Sequence, residues 1–297
     1  MNFSKKVGLK EKQDQLDFVD VRLDRDNVLF IDPILIRMSH NGICRKMMQT
    51  IDDYFDYLYS AYRECNTREK ENAYQHANEV NATRLGYGRG DNGNGNTVEG
   101  LLSKFCELEQ LTKIETVSTA EDLVIFIKNF AEDGLSDLLT NIIQKELYDY
   151  TNAMFKKYNI KYNDQCSFWS WDSKTHNWKY YNNLPAYNPG NGRLLLVPKE
   201  IVSKSYLFSI SNYLWRELLE RLKKAKTVTI QGKEISQSKK SLHKQLIGDD
   251  KDFERKAVLE DIQRNPEYLD TYHKNLSKYY SNRRFDADEL SHVVYKK

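Results

Sequence analysis

The chain of 297 residues is 40% hydrophobic and 30% charged, with a mean hydropathy of -0.73; that balance belongs to a globular protein with a heavily solvated surface. It can bury one large core or two small ones, and no run approaches the roughly 20 apolar residues that cross a bilayer. The formal charge of +2 conceals an asymmetry, because residues 1–215 carry 26 basic and 29 acidic side chains and residues 216–297 carry 19 and 14.

The opening stretch MNFSKKVGLKEKQDQLDF has basic residues but no apolar segment, so a cytoplasmic location is expected. Residues 17–32, DFVDVRLDRDNVLFID, alternate well enough to predict two short strands around DRDN, ended by Pro33, which cannot donate to a ladder. Ile43, Met47, Ile51, Phe55, Leu58 and Tyr62 then recur at three- and four-residue steps and predict a helix over about 42–65. Residues 66–96 are polar and then glycine-rich: Gly86, Gly88, Gly90, Gly93 and Gly95 put five glycines in ten positions, a loop over 86–96 that a ligand would order. Helices are expected from about Thr97 to Lys113 and at STAEDLVIFI, where Thr119 and Asp122 approximate a capping box. The longest helix is expected over about 135–158, on a stripe running from Leu135 to Tyr158. FWSWDSKTHNWKYY reads as a hairpin, and LLLV as a short strand ended by Pro198. Beyond 205 the chain returns to helix, with an extended piece at TVTIQG and Pro266 at a first helical position. The predicted class is α+β, helix-dominated, with a small central mixed or antiparallel sheet. A main domain over 1–204 would be followed by a helical, basic region over 205–297.

Polar residues within these elements mark candidate chemistry. Asp133, Asp137 and Asn141 recur at four-residue steps, and on one helix face two carboxylates and an amide oxygen could hold Mg2+ or Mn2+. The alternative is that Asp133 or Ser136 is an N-cap and Asp137 a first-turn charge favouring the helix dipole; Asn141 is the residue that alternative explains least. The glycine loop is candidate phosphate-binding backbone at Gly86 and Gly88, with Arg84 as an anion clamp and Glu79 as a further ligand or base. It lacks GK[ST] and a strong preceding strand, so it matches neither a Walker loop nor a dinucleotide fingerprint. Lys199, just past an apolar run, is placed to meet a scissile phosphate, although the PD-(D/E)xK spelling is absent there. Four cysteines stand far apart without a CxxC pair, which excludes the usual zinc frameworks and fits reduced thiols. No HExxH and no G-x-S-x-G occurs. Nine basic against three acidic residues in 216–247 would attract a polyanion or form a solvated lysine face. The hairpin aromatics would offer stacking surfaces for bases.

In VLFIDPILI (28–36), NEVNATRLGYGRG (78–90), DGLSDLLTNII (133–143) with YDYTNAMFKKYNI (148–160), LLLVPKEIV (194–202) and NPEYLDTYHKN (265–275), the sequence resembles an uncharacterised family of bacterial proteins associated with phage-defence gene neighbourhoods. The resemblance carries no activity with it, but it implies that the polar clusters share one site. The expectation is a defence protein acting on nucleic acid, as a divalent-metal-dependent nuclease. In it Asp133, Asp137 and Asn141 would hold the ion, Glu79, Asp137 and Lys199 would serve catalysis, and Arg84, Gly86, Gly88 and Lys199 would bind phosphate. The alternative is a non-catalytic sensor or scaffold that docks a partner protein of a defence operon. A third reading is nucleotide-signal binding by the glycine loop. Substrate, metal, partner and oligomeric state stay open.

Overall fold

The helix with the longest apolar stripe, Gly42–Arg63, buries Met47, Ile51, Tyr54, Phe55, Leu58 and Tyr62, and its N-cap Asn41 accepts from the Ile43 amide. In the computed structural model, which describes residues 1–77, 80–87, 97–113, 116–230, 233–246, 248, 251–281 and 287–295, the other elements pack around this helix. The fold is α+β and helix-dominated, 55% helix and 11% strand. The strands form separate antiparallel pairs and not one sheet: Phe30–Ile31 with Val202–Ser203, Asp164–Asp172 with Asn177–Ala186, and Val228–Ile230 with Lys233–Ile235.

Several expected elements change character. Within 17–32 only Phe30–Ile31 is a strand, and the rest is irregular chain with scattered partners, as where Val19 N–H reaches the Val197 carbonyl at 3.0 Å. The apolar LLLV run is buried without a ladder, because Leu195 donates to the Ala82 carbonyl (2.8 Å) and Leu196 to the Thr151 hydroxyl (2.9 Å). The stretch expected as one helix over 135–158 is two, Glu132–Ile142 and Gln144–Lys157, divided at Ile143. The cause is Ser170, fully buried on the hairpin. Its hydroxyl accepts from the Lys145 amide (3.0 Å) and donates to the Ile142 carbonyl (2.9 Å), so a side chain from elsewhere replaces the helix's own hydrogen bonding at the break. The expected 97–113 helix is likewise two short pieces, Val98–Lys104 and Leu108–Leu111.

The hairpin packs one face on the central helix. Trp171 meets Tyr54 edge-on at 5.1 Å, and its indole N–H donates to Asp53 at 2.7 Å. The residues after 204 return to the N-terminal part through polar bonds. Arg255 bonds both Glu107 and the Phe126 carbonyl, Tyr295 reaches Asp20 at 3.0 Å, and Asn2 donates to the Val294 carbonyl at 3.2 Å. No helix among the described residues is long and apolar enough to cross a membrane.

Asp20 is fully buried and accepts from the Ser4 amide and hydroxyl, both at 2.7 Å, and from Tyr295. Asp20→Ala leaves those donors unsatisfied and is expected to lower unfolding free energy by about 3 kcal/mol in urea titration; a loss near zero would mean water replaces the carboxylate there.

Candidate functional site

The Glu132–Ile142 helix includes Gly134, so Asp133, Asp137 and Asn141 stand on one helix face at four-residue intervals. Neither Asp133 nor Ser136 is the N-cap. Ala131 occupies that position with no side-chain bond, and the Ser136 hydroxyl accepts from the Ile31 amide at 3.0 Å, tying the helix to the first strand. Asp133 Oδ1 accepts from the Tyr87 amide at 3.2 Å. Gly86 beside it has φ +127°, and a Cβ there would lie 2.7 Å from Asp133 Oδ1. The glycine at this position serves a close approach of the turn to a carboxylate. Tyr206 lies under the same helix start and donates to the Ile31 carbonyl at 2.5 Å. Burial raises its phenol well above the ordinary value, and the neighbouring Asp32, Glu132, Asp137 and Asp133 add to the rise.

Asn141 belongs to a different network. It is buried, and its Oδ1 accepts from Gln144 Nε2 at 2.8 Å. Gln144 in turn holds Arg193, which also donates to the Ser167 carbonyl at 3.2 Å and lies 4.7 Å over the Phe168 ring. The amide oxygen expected to face a cation is therefore engaged in joining the helix break to the hairpin. Among the described residues no three His, Cys, Asp or Glu side chains converge as a metal site would require.

Arg84 is a buried residue at φ +58°. Its guanidinium bonds Asn81 Oδ1 (3.1 Å) and both the side chain and the carbonyl of Asn191, and its own carbonyl accepts from Asn27. These bonds give Arg84 a structural task, fastening the 80–87 turn to the 188–193 loop. Lys199 lies on a short 3-10 turn, Lys199–Ile201. Its amine donates to the Asp14 carbonyl at 2.9 Å and its amide to the Asp17 carbonyl at 3.1 Å. The fold thus brings Gly86 against Asp133 with Asp137 one turn on, and carries Lys199 to the Asp14–Asp17 segment. Glu79 and Gly88 lie outside the described residues.

Two carboxylate centres escaped the sequence reading. Asp32 has no solvent exposure and N-caps the Pro33–Met38 helix, accepting from the Ile34 amide (3.0 Å) and the Ser203 hydroxyl (2.9 Å), with the Tyr280 phenol beside it. Burial pushes its carboxyl up to about 7, against these hydrogen bonds. The sequence signal was present as an Asp directly before a Pro at a helix start. The second centre joins Arg37, Asp52, Glu121, Asp122 and His273. Arg37 is 3.4 Å from Glu121 and 3.6 Å from Asp52, and the buried second oxygen of Glu121 has no hydrogen-bond partner among the described residues. Asp52 is half-exposed, and its carboxyl is raised by partial desolvation, with Arg37 opposing and Glu121 and Asp56 assisting. Asp122, fully buried, accepts from the Ser118 (2.9 Å) and Thr119 (2.8 Å) amides and meets His273 Nε2 at 2.8 Å. The Thr119–Asp122 pairing expected of a capping box is present; the histidine arriving from 151 residues away was not legible.

Opposite in charge is the surface of the Leu219–Ala225 and Lys239–Leu246 helices. They are joined by Lys239, which pairs with Glu220 (2.6 Å) and donates to the Trp215 carbonyl (2.9 Å). Trp215 stacks on His243 with centroids 5.2 Å apart. Arg216 covers Tyr279, and Arg221 pairs with Asp261 over the Tyr268 ring. Lys223, Lys224, Lys226, Lys240 and Lys244 make no ion pair among the described residues, and all but Lys223 are exposed.

Gly86→Ala must both strain a left-handed backbone and displace Asp133, so a loss of about 1–2 kcal/mol in urea unfolding is expected. Asp133→Ala in the same background recovers only the part due to the clash; full recovery would show that the backbone conformation itself is unstrained.

No curated protein and no solved structure matches the chain. A family model described as a domain of unknown function, DUF8370, matches residues 8–209, which is more than half of the 297 residues and ends ahead of the lysine-rich helices. The chain belongs to the DUF8370 family.

Proposed function

We propose that this protein is a non-catalytic, nucleic-acid-binding component of a bacterial antiviral defence system, acting as a sensor or docking subunit alongside a partner protein. The observation that carries the reading is the set of five lysines on and beside two packed helices, Lys223, Lys224, Lys226, Lys240 and Lys244, none of which forms an ion pair among the described residues. Lysines that are already neutralised cost their ion pairs when a phosphate arrives. Uncompensated ones release only condensed counterions from the nucleic acid, which favours binding and makes it salt-dependent. The defence setting comes from the resemblance in the FIDP, RLGYG, DGLSDLL and LLVPK stretches. Asn141, expected as a metal ligand, is engaged by Gln144, and Lys199, expected to serve catalysis, by the Asp14 carbonyl.

The second reading is a Mg2+- or Mn2+-dependent nuclease. In its favour are Asp133 and Asp137 on one helix face beside the Gly86 turn. Fluorescence anisotropy with single- and double-stranded DNA and RNA across a salt series tests the first reading. Lys240→Glu with Lys244→Glu is expected to weaken binding at least tenfold and to reduce the salt slope by about 2; unchanged affinity defeats it. The same oligonucleotides with Mg2+ or Mn2+ are expected to stay intact. Cleavage by the natural chain that Asp137→Ala abolishes would establish the nuclease in its place.

A further inference from the structure

We propose that the Glu267–Tyr280 helix is a proton-controlled latch, whose His273 and Tyr280 close on the buried carboxylates Asp122 and Asp32, and which opens when His273 and Asp32 lose their protons. The two residues are seven apart and so share a helix face. Both partners belong to the family-matched part of the chain, whereas the helix lies beyond it. Tyr280 is held at a second point, since its oxygen accepts from the Leu207 amide at 2.8 Å, and Tyr272 donates to the Leu207 carbonyl at 3.3 Å. The helix therefore covers Asp32, and lifting it would hydrate that carboxyl. The inference does not depend on what the lysine face binds.

The groups around each end fix the sign. His273 faces Asp122 and Glu121, with Arg37 opposing; burial pulls the imidazole down, but the Asp122 charge and hydrogen bond outweigh it and hold it above 6.5. Its contribution to closure is complete below 6.5 and is lost as pH rises through the raised value. Around Asp32 stand the Ser203 hydroxyl, the Ile34 amide and the Tyr280 phenol, with Tyr206 nearby, and none of these is basic. Closed, it keeps its proton up to about 7; hydrated, it would return toward 3.8, so closure weakens as pH rises between those values. The two groups act in the same direction and overlap near neutrality. The helix's remaining charges do not oppose this: Lys274 pairs with Asp270 at the surface, and Tyr279 meets Glu217 and Arg216.

Native-state hydrogen exchange on the full chain between pH 6 and 8, corrected for intrinsic rates, tests the latch. Opening of the Glu267–Tyr280 amides is expected to rise at least tenfold relative to those of Gly42–Arg63. Asp32→Asn keeps an N-cap and a neutral group and is expected to remove part of that rise; His273→Gln removes the rest, and the double variant is flat. A flat profile in the natural chain, or an undiminished rise in the double variant, overturns the proposal. Should Asp32→Asn not fold, the His273 imidazole titration by NMR decides: a midpoint above 6.5 that falls in Asp122→Asn supports the latch, and a midpoint at or below 6.5 sinks it.

Discussion

A carboxylate taken out of water must be met by donors from the protein, and Asp20, Asp32 and Asp122, all without solvent exposure, meet that requirement with segments far apart in the chain. Asp32 and Asp122 accept backbone amides close in sequence and Asp20 accepts the amide of Ser4, and each meets a side chain from the C-terminal region: Tyr295 for Asp20, Tyr280 for Asp32 and His273 for Asp122. The amides place the carboxylate, and the distant side chain closes the assembly. Apolar packing alone would accept many sliding arrangements of the C-terminal helices, because dispersion and burial carry little direction. The three carboxylates accept few.

The hairpin supplies a second constraint of the same kind. Ser170 enters the break at Ile143, and Trp178 donates its indole N–H to the Asn72 carbonyl at 2.9 Å, so both faces of the hairpin are bonded to helices. What remains at its rim is a ring stack, with His76 parallel to Trp169 at 3.8 Å and Tyr180 at 5.0 Å beyond it. Burial lowers the imidazole of His76 below its ordinary value.

Charge is sorted in the same way. Four acidic groups of the family-matched part, Asp20, Asp32, Glu121 and Asp122, are buried, and several basic residues beyond it fall into two sets. Arg216, Arg221, Arg255 and Lys239 serve as fasteners, and Lys224, Lys226, Lys240 and Lys244, on and beside the Leu219–Ala225 and Lys239–Leu246 helices, are exposed, with Lys223 half-buried among them. That division turns a net charge asymmetry, which by itself says nothing about fold, into a localised basic surface.

Periodicity decided a good deal. The Gly42–Arg63 helix, the hairpin, the helical C-terminal region and the α+β class all follow from where apolar residues recur, since a helix or hairpin buries one face whatever it packs against. The placing of Asp133, Asp137 and Asn141 on one helix face follows from spacing as well. Spacing did not tell which groups those side chains meet. Asn141 was drawn to Gln144, Lys199 to the Asp14 carbonyl and Arg84 to Asn191, while Ser170 split a helix whose apolar stripe runs unbroken. Hydrogen bonds are short-ranged and directional, so a polar side chain's partner is set only once the chain has folded and brought a donor within about 3 Å; the hydrophobic pattern fixes the elements, and tertiary contact alone assigns the polar groups their work.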